Sequence, residues 1–240
     1  MQLVLKITLD KPLELPLNYN HIVQSIIYKA LSEKPDYAEF LHDFGYANGK
    51  HRYKMFHFSQ LSGDYKLIKQ KIIFQSDVSI EIRSLDPMFM ELLLDDYNRN
   101  GITFGETIYR NIHAEIYDYK VQQSEAVIRM KSPVTVHSTN HNTKNSYFYH
   151  PFENRFYEEI NNNFYRKYEA YYGIIPSSPI QIRKVDGSDC KKLVTRYQGT
   201  YITAWFGKFQ ISGRQEYLDF LYQTGLGAKN AQGFGMFDIM

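Results

Sequence analysis

Apolar and polar residues alternate along the first half of the chain in a pattern that predicts strands and helices in a definite order. Residues 2–9 alternate like a half-buried strand, and residues 18–32 carry an apolar stripe at helical spacing. Asp86 and Pro87 predict a helix start, with an N-cap residue followed by proline at the first helical position. The other predicted elements are a short helix at 37–44, a polar loop at 46–53, strands at 54–61, 72–74 and 78–84, a helix at 88–98 and a strand or bent strand pair at 102–117.

The second half repeats this order. Residues 125–136 are typical of a strand, and residues 151–172 predict a long helix that Gly173 ends. Further predicted elements are a hairpin of strands 180–185 and 191–197 around the turn signal Asp186-Gly187, a strand at 201–212, a helix after Gly213 and a last strand at 234–240. Two consecutive β-α-β-β-α-β units predict an α+β protein of tandem ferredoxin-like (RRM-like) domains. We expect the domains to be residues 1–120 and 121–240, with the boundary at 118–124.

Composition narrows the class of protein and its compartment. The 240 residues are 43% hydrophobic and 22% charged, which is ordinary for a globular chain of one large or two small domains. The single cysteine, Cys190, excludes an intramolecular disulfide and a cysteine-based zinc ribbon, so we expect a reducing, cytoplasmic compartment. Charges interrupt the apolar residues near the start, and no apolar run reaches the length of a membrane span.

Charge and aromatic content point to binding surfaces in the second half. The net charge is +2, but the first 120 residues hold 14 basic and 16 acidic residues, whereas the second 120 hold 14 and 10. A moderately basic second half is compatible with a polyanionic partner. The chain also has 21 Tyr and 16 Phe, whose large, stiff rings suit contact surfaces.

The most specific local motif is the glycine loop, residues 225–235, with the sequence Gly-Leu-Gly-Ala-Lys-Asn-Ala-Gln-Gly-Phe-Gly. Its glycines permit positive φ, and successive N–H groups together with Lys229 can form an anion-binding concavity. A purely structural turn is an equally good interpretation. The loop is neither a Walker loop nor a dinucleotide fingerprint, because no Gly-Lys-Ser/Thr occurs and a strand follows in place of a helix.

The glycine loop at the end of a double ferredoxin-like chain resembles the RAMP superfamily of CRISPR systems. The closest resemblance is to its precursor-RNA processing endoribonuclease, the sixth Cas family, and it extends through the whole chain. Other segments that carry it are 17–21 (Leu-Asn-Tyr-Asn-His), 26–31 (Ile-Ile-Tyr-Lys-Ala-Leu), 40–42 (Phe-Leu-His), 131–134 (Lys-Ser-Pro-Val) and 203–205 (Thr-Ala-Trp).

The resemblance implies RNA cleavage with neither metal nor other cofactor. The 2′-OH of the substrate attacks the adjacent phosphate, which leaves a 2′,3′-cyclic phosphate and a 5′-OH. The implied partner is CRISPR repeat RNA, in the precursor transcript or the guide RNA. Other Cas proteins of an effector complex and a second copy of the chain are further expected partners.

The family pattern assigns catalysis to Tyr28, His42 and Lys54. The reaction needs a base, an acid and positive charge on the phosphorane oxygens. Histidine titrates near neutrality, and Lys54 opens a predicted strand from which it can reach a phosphate. Tyr28 lies on the polar side of the first helix, where orienting the 2′-OH suits it as well as acting as a base does, since its ordinary pKa is about 10.

Residues close by in the sequence leave this assignment open. Tyr28 can also be explained as cover for the edge of the helix, and His42 as a surface histidine. His21 shares the helix face of Tyr28 and is the main alternative to His42. Weaker alternatives are His51 for the histidine and Lys50 or Arg52 for the lysine.

A metal centre has little support in the sequence. His137 and His141 are spaced like a ligand pair, but Ser, Thr and Asn surround them, no Cys pair lies nearby and no HExxH motif occurs. We therefore interpret residues 137–145 as a solvated polar loop and expect no metal.

Basic residues in the predicted hairpin suit phosphate contacts, which set affinity more than sequence preference. A solvated edge hairpin explains them equally well, because lysines protect exposed strand edges. Unassigned exposed Tyr and Phe rings could stack unpaired bases. With the glycine loop, the predicted RNA contacts are Arg183, Lys184, Lys191, Lys192, Arg196, Gly225, Gly227, Lys229, Asn230, Gly233 and Gly235.

Two other functions remain open at this point. One is a non-catalytic RNA-binding subunit of the same superfamily, built into an effector complex. The other is a ferredoxin-like regulatory protein that binds a small ligand or nucleotide. Neither composition nor spacing separates these from the nuclease.

Overall fold

A computed structural model describes residues 1–140, 142–143, 145–197 and 199–240. The described helices are α1 (Asn20–Ala30), α2 (Pro35–Glu39), α3 (Pro87–Asn100), α4 (Asn154–Tyr172) and α5 (Gln215–Thr224), with a π turn at Phe40–Phe44 and a 3-10 turn at Asn230–Gln232. The strands of the first half are β1 (Gln2–Ile7), β2 (Leu13–Pro16), β3 (Tyr46–Asn48), β4 (His51–Tyr53), β5 (Phe56–Phe58), β6 (Tyr65–Ile68), β7 (Lys71–Phe74), β8 (Val78–Ser84), β9 (Ile102–Phe104), β10 (Thr107–Tyr109) and β11 (Ile112–Tyr117). Those of the second half are β12 (Glu125–Met130), β13 (His137–Thr139), β14 (Ser146–Phe148), β15 (Gln181–Lys184), β16 (Lys191–Tyr197), β17 (Thr200–Phe206), β18 (Lys208–Ser212) and β19 (Phe237–Ile239).

The first half forms a four-stranded antiparallel sheet in the order β11-β1-β8-β5. Helix α1 lies between β1 and β5 in the chain, and α3 lies between β8 and β11. Alternate residues of β1 are buried in the core that these helices cover, as the alternation predicts. The Asp86 carboxylate accepts a hydrogen bond from the Met88 N–H at 3.0 Å, so the predicted cap of α3 is confirmed.

The second half builds the same topology. Its sheet has the order β15-β18-β12-β19, and α4 and α5 provide the two crossovers. Apolar faces of β12 and β18, with Ile128, Phe209 and Ile211, pack with the buried side of α4. The prediction of an α+β protein with tandem ferredoxin-like domains is therefore confirmed. Residues 118–124 contain neither helix nor strand, and we retain 1–120 and 121–240 as the proposed domain limits.

Two local predictions in the first half need correction. Residues 46–53 form the β3-β4 hairpin, with Gly49 at φ 54 in the turn, and are not a loop. The hairpin packs on α4 of the other domain, where Asn48 Nδ2 donates to Glu169 Oε2 at 2.7 Å. A polar sequence suits this position because the hairpin contacts a helix surface and not a sheet core. The predicted helix 37–44 divides into α2 and the π turn.

The predicted hairpin around Asp186-Gly187 is wrong. Strand β15 pairs with β18, whereas β16 pairs with β17. The predicted strand 201–212 is two strands interrupted at Gly207, and each takes a different partner. Arg183 and Lys184 therefore lie at the edge of the second sheet, while Lys191, Lys192 and Arg196 lie on the separate two-stranded ribbon β16-β17.

A group of charged residues, of which Arg83 and Glu81 are buried, joins the domains. The Arg83 guanidinium is fully buried and donates to Glu81 Oε1 at 2.5 Å, to the Phe237 carbonyl at 2.7 Å and to Asp238 Oδ1 at 3.1 Å. Lys131 of the second domain in turn donates to Glu81. Because each of these charges has its partners, their burial is compatible with a stable interface. Helix α5 packs on β5 and β8 beside them, which fixes how the domains face each other.

Candidate active site

A cleft of about 830 Å³ opens between the two domains. The first domain supplies one wall from α1, the π turn and the β4-β5 segment. The second supplies the other from α4, the start of β13, the end of β16 and the glycine loop. Polar side chains on the first wall include Gln24, Tyr28, Lys29, His42, His51, Arg52 and Lys54, and those on the second include His137, Asn163, Lys167, Tyr197, Lys229, Asn230 and Gln232.

The three residues assigned from the family pattern meet on the first wall. The rings of Tyr28 and His42 pack edge to face with centroids 5.2 Å apart. Lys54 Nζ donates to the His42 carbonyl at 2.7 Å. The structure thus brings together side chains that are 26 residues apart in sequence, which the resemblance implied and local patterns could not show.

The backbone around His42 explains its position. The π turn Phe40–Phe44 ends at Gly45, whose N–H donates to the Phe40 carbonyl at 2.6 Å and whose φ is 60°. The extra residue in a π turn rotates the following side chains relative to an α-helix, and such turns are frequent at functional sites.

Asp43 lies beside the histidine and accepts a hydrogen bond from His42 Nδ1 at 2.6 Å. Because a carboxylate only accepts, the proton sits on Nδ1 and Nε2 is left to exchange a proton with a ligand.

Burial changes the acidity of the other two groups. It raises the pKa of the Tyr28 hydroxyl, and the nearby Tyr197 and Asp43 raise it further. Tyr28 therefore stays neutral at physiological pH, which suits a hydrogen-bond donor better than a base. Burial lowers the pKa of Lys54, while the Asp43 carboxylate acts in the opposite direction. The lysine is held beside the histidine by its hydrogen bond to the His42 carbonyl.

The structure also places the alternative residues. His21 Nδ1 donates to the Asn18 carbonyl at 2.8 Å, and this residue does not line the cleft. His51 does line it, and burial together with Arg166 and Lys50 lowers the pKa of its imidazole. Arg52 lines the cleft too, whereas Lys50 does not. His42 is therefore the histidine in contact with Tyr28.

The glycine loop is packed against its own domain at two of its glycines, and α1 of the first domain also contacts it. Gly227 and Gly235 have φ of 70° and 83°. A Cβ at Gly235 would lie 2.0 Å from the Leu226 carbonyl oxygen, and one at Gly227 would lie 2.7 Å from the Thr135 carbonyl oxygen. The Asn230 amide donates to Leu226 and Phe234 carbonyls from inside the loop. These positions require glycine because the backbone is close to other backbone.

This packing corrects one expected feature of the loop. The predicted concavity of free N–H groups is not formed at six of its positions, which donate to carbonyls of the protein: Gly225, Leu226, Ala228, Gln232, Gly233 and Gly235. The loop instead presents the Lys229 side chain to the cleft, with φ of 60° at that residue. Burial lowers the pKa of Lys229. Any phosphate contact by the loop would therefore depend chiefly on this side chain.

Several cleft residues were missed from the sequence. Gln24 Nε2 donates to the Ala231 carbonyl at 2.8 Å, and Tyr197 donates to Gln24, so α1 is attached to both the loop and β16. Lys167 reaches the cleft from the core side of α4. It lies three residues after Phe164 on the apolar stripe of that helix, and a lysine in such a stripe is the signal that could have identified it.

His137 lines the second wall. Burial and the charge of Lys229 lower the pKa of its imidazole to about 4, so it is neutral at physiological pH. The other histidine of the rejected metal pair, His141, lies outside the described residues. Within the described ranges, no three His, Cys, Asp or Glu side chains are grouped so as to hold a metal ion.

The predicted basic residues divide into two places. On the ribbon, the Arg196 guanidinium lies 5.9 Å from the ring centre of Tyr201, and Lys192 Nζ lies 5.9 Å from that of Trp205. Tyr197, the neighbour of Arg196, lines the cleft, so this end of the ribbon adjoins it. Arg183 and Lys184 are engaged at the sheet edge with Gln210 and with loop carbonyls, respectively.

In the part of the chain that is described, no helix is both long and apolar enough to cross a membrane.

Comparisons with known proteins agree with this architecture. The family model "CRISPR associated protein Cas6, C-terminal" matches residues 115–239, more than half of the chain. The CRISPR-associated endoribonuclease Cas6 of Pyrococcus furiosus is 25% identical over 242 residues, covering 96% of this chain and 85% of that protein.

Solved structures share the fold over the full length. A structure from the characterization of a Cas6-related gene of Pyrococcus furiosus has a TM-score of 0.83 at 20% identity and covers 100% of this chain and 98% of that one. The structure of a RAMP protein binding different RNA substrates has a TM-score of 0.82 at 23% identity, with 100% and 99% covered. Together with the matched family model, the topology and the glycine loop show that the chain belongs to the CRISPR-associated Cas6 family.

Proposed function

We propose that this protein is a metal-independent endoribonuclease that cleaves CRISPR repeat RNA in precursor transcripts to give guide RNAs. The observation that carries the proposal is the meeting of Tyr28, His42 and Lys54 on one wall of an interdomain cleft. The curated relative from Pyrococcus furiosus is named an endoribonuclease, which supports the same reaction class here.

The cleft geometry suits attack by the ribose 2′-OH. The 2′-OH loses its proton to a base, its oxygen bonds to phosphorus, and the bond from phosphorus to the 5′ oxygen breaks. The departing 5′ oxygen takes up a proton, so the products are a 2′,3′-cyclic phosphate and a 5′-OH. His42 Nε2 accepts the 2′-OH proton, because Asp43 holds Nδ1, and the imidazolium so formed donates a proton to the 5′ oxygen. Tyr28 orients the 2′-OH as a neutral donor, and Lys54 balances charge on the phosphorane oxygens.

The bound RNA would extend from this cleft over the second domain. Lys229 supplies charge on the opposite wall, and the ribbon beside the cleft offers Lys192, Arg196 and the exposed ring of Tyr201. Phosphates would pair with the cations, and an unpaired base would stack on the ring. The remaining proposed contacts are Arg183, Lys184, Lys191 and the loop residues Gly225, Gly227, Asn230, Gly233 and Gly235.

Cleavage of repeat RNA by the purified protein in EDTA tests the reaction. The wild type should cut at one position and leave a cyclic phosphate on the upstream fragment. His42→Ala should lower the single-turnover rate by about 10²- to 10⁴-fold and leave the Kd for RNA within about twofold, since general acid–base catalysis contributes that much. His113→Ala, an exposed histidine of β11 paired with Glu115, is the matched control.

Each other result has a definite meaning. A wild-type rate in His42→Ala with loss of activity in His21→Ala would move the role to His21. Tight RNA binding without any cleavage would indicate the non-catalytic subunit of an effector complex. Absence of RNA binding at moderate salt would favour a small-ligand regulator. Self-association, contacts with other Cas proteins and a cytoplasmic location remain predictions, the first of them measurable by light scattering of the purified chain.

A further inference from the structure

Lys167 carries a buried positive charge at the floor of the cleft. Its side chain, on α4, is 1% exposed. The ammonium donates to the Gly225 carbonyl at 2.5 Å, to Asn230 Oδ1 at 3.2 Å and to the Thr224 carbonyl at 3.3 Å. A lysine has three N–H donors, so all three are used. Among the described residues, no carboxylate forms an ion pair with it.

Such an arrangement is costly for the fold alone. Removing a charge from water without a counter-charge is unfavourable, and an apolar side chain of the same length would fill the space at less cost. The acceptors show what the charge does instead. Thr224 and Gly225 are the last residues of α5 and its C-cap, where helix carbonyls lack partners and the helix dipole is negative. Asn230 is the residue whose amide holds the glycine loop together.

The first domain contacts the same helix end. His57 of β5 is fully buried, and its Nε2 donates to the Tyr222 carbonyl at 3.1 Å. A Cβ at Gly225 would lie 3.2 Å from His57 Nδ1, so the two residues are in close contact. Burial and the charges of Arg83 and Lys167 hold the pKa of His57 well below its ordinary value. The start of the glycine loop is therefore fixed by one neutral donor from the first domain and one cationic donor from the second.

We propose that Lys167 is a positioning residue for RNA cleavage: its ammonium fixes the start of the glycine loop and thereby holds Lys229 on the wall opposite Tyr28 and His42. The activity part of this inference rests on the proposed function, whereas the loop part does not. The ammonium suits this role because its three N–H groups match the three buried acceptors, which an apolar side chain would leave unpaired.

The charge of Lys167 is also sensitive to pH. Burial lowers the pKa of its ammonium to about 7. The other groups around the ammonium are the backbone carbonyls, the Asn230 amide and the Phe220 ring, and the titratable group facing it among the described residues is His57. At pH 6.5, below this value, Lys167 carries its charge and all three N–H groups.

Hydrogen–deuterium exchange of the RNA-free full chain tests the loop part. At pH 6.5, Lys167→Met should speed exchange of the N–H groups of Leu226, Ala228 and Gly235 at least tenfold, with β1 unchanged. Lys11→Met, at an exposed lysine outside the cleft, should leave the loop as in the wild type. Unchanged loop exchange in Lys167→Met would overturn the inference. If that variant fails to fold, Lys167→Gln, whose amide offers two N–H donors in place of three, should speed the same exchange at pH 6.5, and unchanged exchange would overturn the inference equally.

Single-turnover cleavage of repeat RNA tests the positioning part. Lys167→Met should cut about 10- to 100-fold more slowly at pH 6.5 with a Kd for RNA within twofold of wild type. Lys167→Arg, which keeps at least three N–H donors, should restore most of the rate at pH 6.5. A wild-type rate in Lys167→Met, or failure of Lys167→Arg to restore the rate, would overturn the role. Absence of cleavage by the wild-type protein would refute the proposed function and leave the exchange result intact.

Discussion

At the scale of single residues, the candidate site depends on how neighbours set the state of each side chain. His42 is an exposed histidine on a short turn, and nothing in its own position distinguishes it from other surface histidines. Its contact with Tyr28 and its hydrogen bond to Asp43 give it a defined tautomer and a fixed ring. Tyr28 in turn is held neutral by burial. Chemistry at this site is therefore a property of the group.

Asp43→Asn should slow cleavage by about 3- to 10-fold while the Kd for repeat RNA stays within twofold. An asparagine can present its amide as a donor to Nδ1, which removes the preference for a proton there, as expected for a partner that orients a histidine. Single-turnover rates measure the effect. Asp36→Asn, an acidic residue exposed on α2, is the control. Equal rates for the two variants would show that Asp43 does not orient His42.

At the scale of elements, the glycine loop and the β16-β17 ribbon form the second domain's side of the site by different means. The loop is rigid because its carbonyls and most of its N–H groups pair within the protein. The ribbon is a two-stranded sheet with an open face, on which the pairs Lys192–Trp205 and Arg196–Tyr201 lie in register. The loop suits positioning, and the ribbon suits contact with a long polyanion.

Gly235→Ala should lower the free energy of unfolding by about 3 kcal/mol, because its Cβ would collide with the Leu226 carbonyl and φ is 83°. Gly187→Ala is the matched control, since its φ is 69° but nothing lies within 4 Å of the added Cβ. Gly187→Ala should lower the free energy of unfolding by about 1 kcal/mol. Urea unfolding of both variants measures the difference. Similar losses in both would mean that the loop relaxes around the added methyl group.

Tyr201→Ala should weaken binding of single-stranded repeat RNA by about 1 to 3 kcal/mol, the usual worth of stacking a base on an aromatic ring. The ring is 67% exposed and lies beside Arg196, so truncation removes contact area without opening the core. Val194→Ala changes a residue on the same face that is 53% exposed, and affinity should hardly change. Fluorescence anisotropy at constant salt measures both. Equal affinities for Tyr201→Ala and wild type would place the RNA elsewhere.

At the scale of the whole molecule, the cleft exists because two similar domains are locked in one arrangement. Arg83, Glu81, Lys131 and Asp238 form a connected set of charges across the interface, of which Arg83 and Glu81 are buried. Helix α5 adds a second connection, since its end is contacted from both domains. Movement of one domain against the other would break buried hydrogen bonds, which is costly. The wall that carries Tyr28 and His42 is thus kept opposite Lys229.

The stability of the whole molecule should depend on pH through Lys167. Its pKa in the folded chain, about 7, lies below the ordinary value of 10.5, so the unfolded chain binds more protons between these values. The free energy of unfolding attributable to Lys167 therefore rises with pH in that window, by up to about 1.4 kcal/mol per pH unit, and is constant below pH 7. Subtracting the free energy of unfolding of Lys167→Met from that of the wild type isolates this contribution, because the contributions of the other titratable groups cancel. Urea unfolding at pH 6, 8 and 9.5 measures it, and a difference independent of pH would contradict the burial of a charged Lys167.

The sequence by itself determined those features that depend on neighbours in the chain. The alternation in β1, the cap at Asp86 and the order of elements in both halves follow from side-chain periodicity and backbone chemistry, which act over a few residues. The glycine loop was also evident in the sequence, because positions where backbone packs closely against backbone require glycine. The resemblance that rested on this loop identified the residues of the cleft wall that contains Tyr28, His42 and Lys54.

Only the tertiary structure decided which distant segments meet. A local turn signal at Asp186-Gly187 predicted the wrong hairpin, because the partner of β15 is β18, more than 20 residues farther on, and the energy of pairing comes from burying both strands in one core. The sequence left open whether the N–H groups of the glycine loop bind an anion or pair within a structural turn, and their carbonyl partners are visible only in the fold. The contacts of Lys167 depend equally on tertiary structure, because packing places the end of α5 and the glycine loop around a charge that lies inside an apolar stripe.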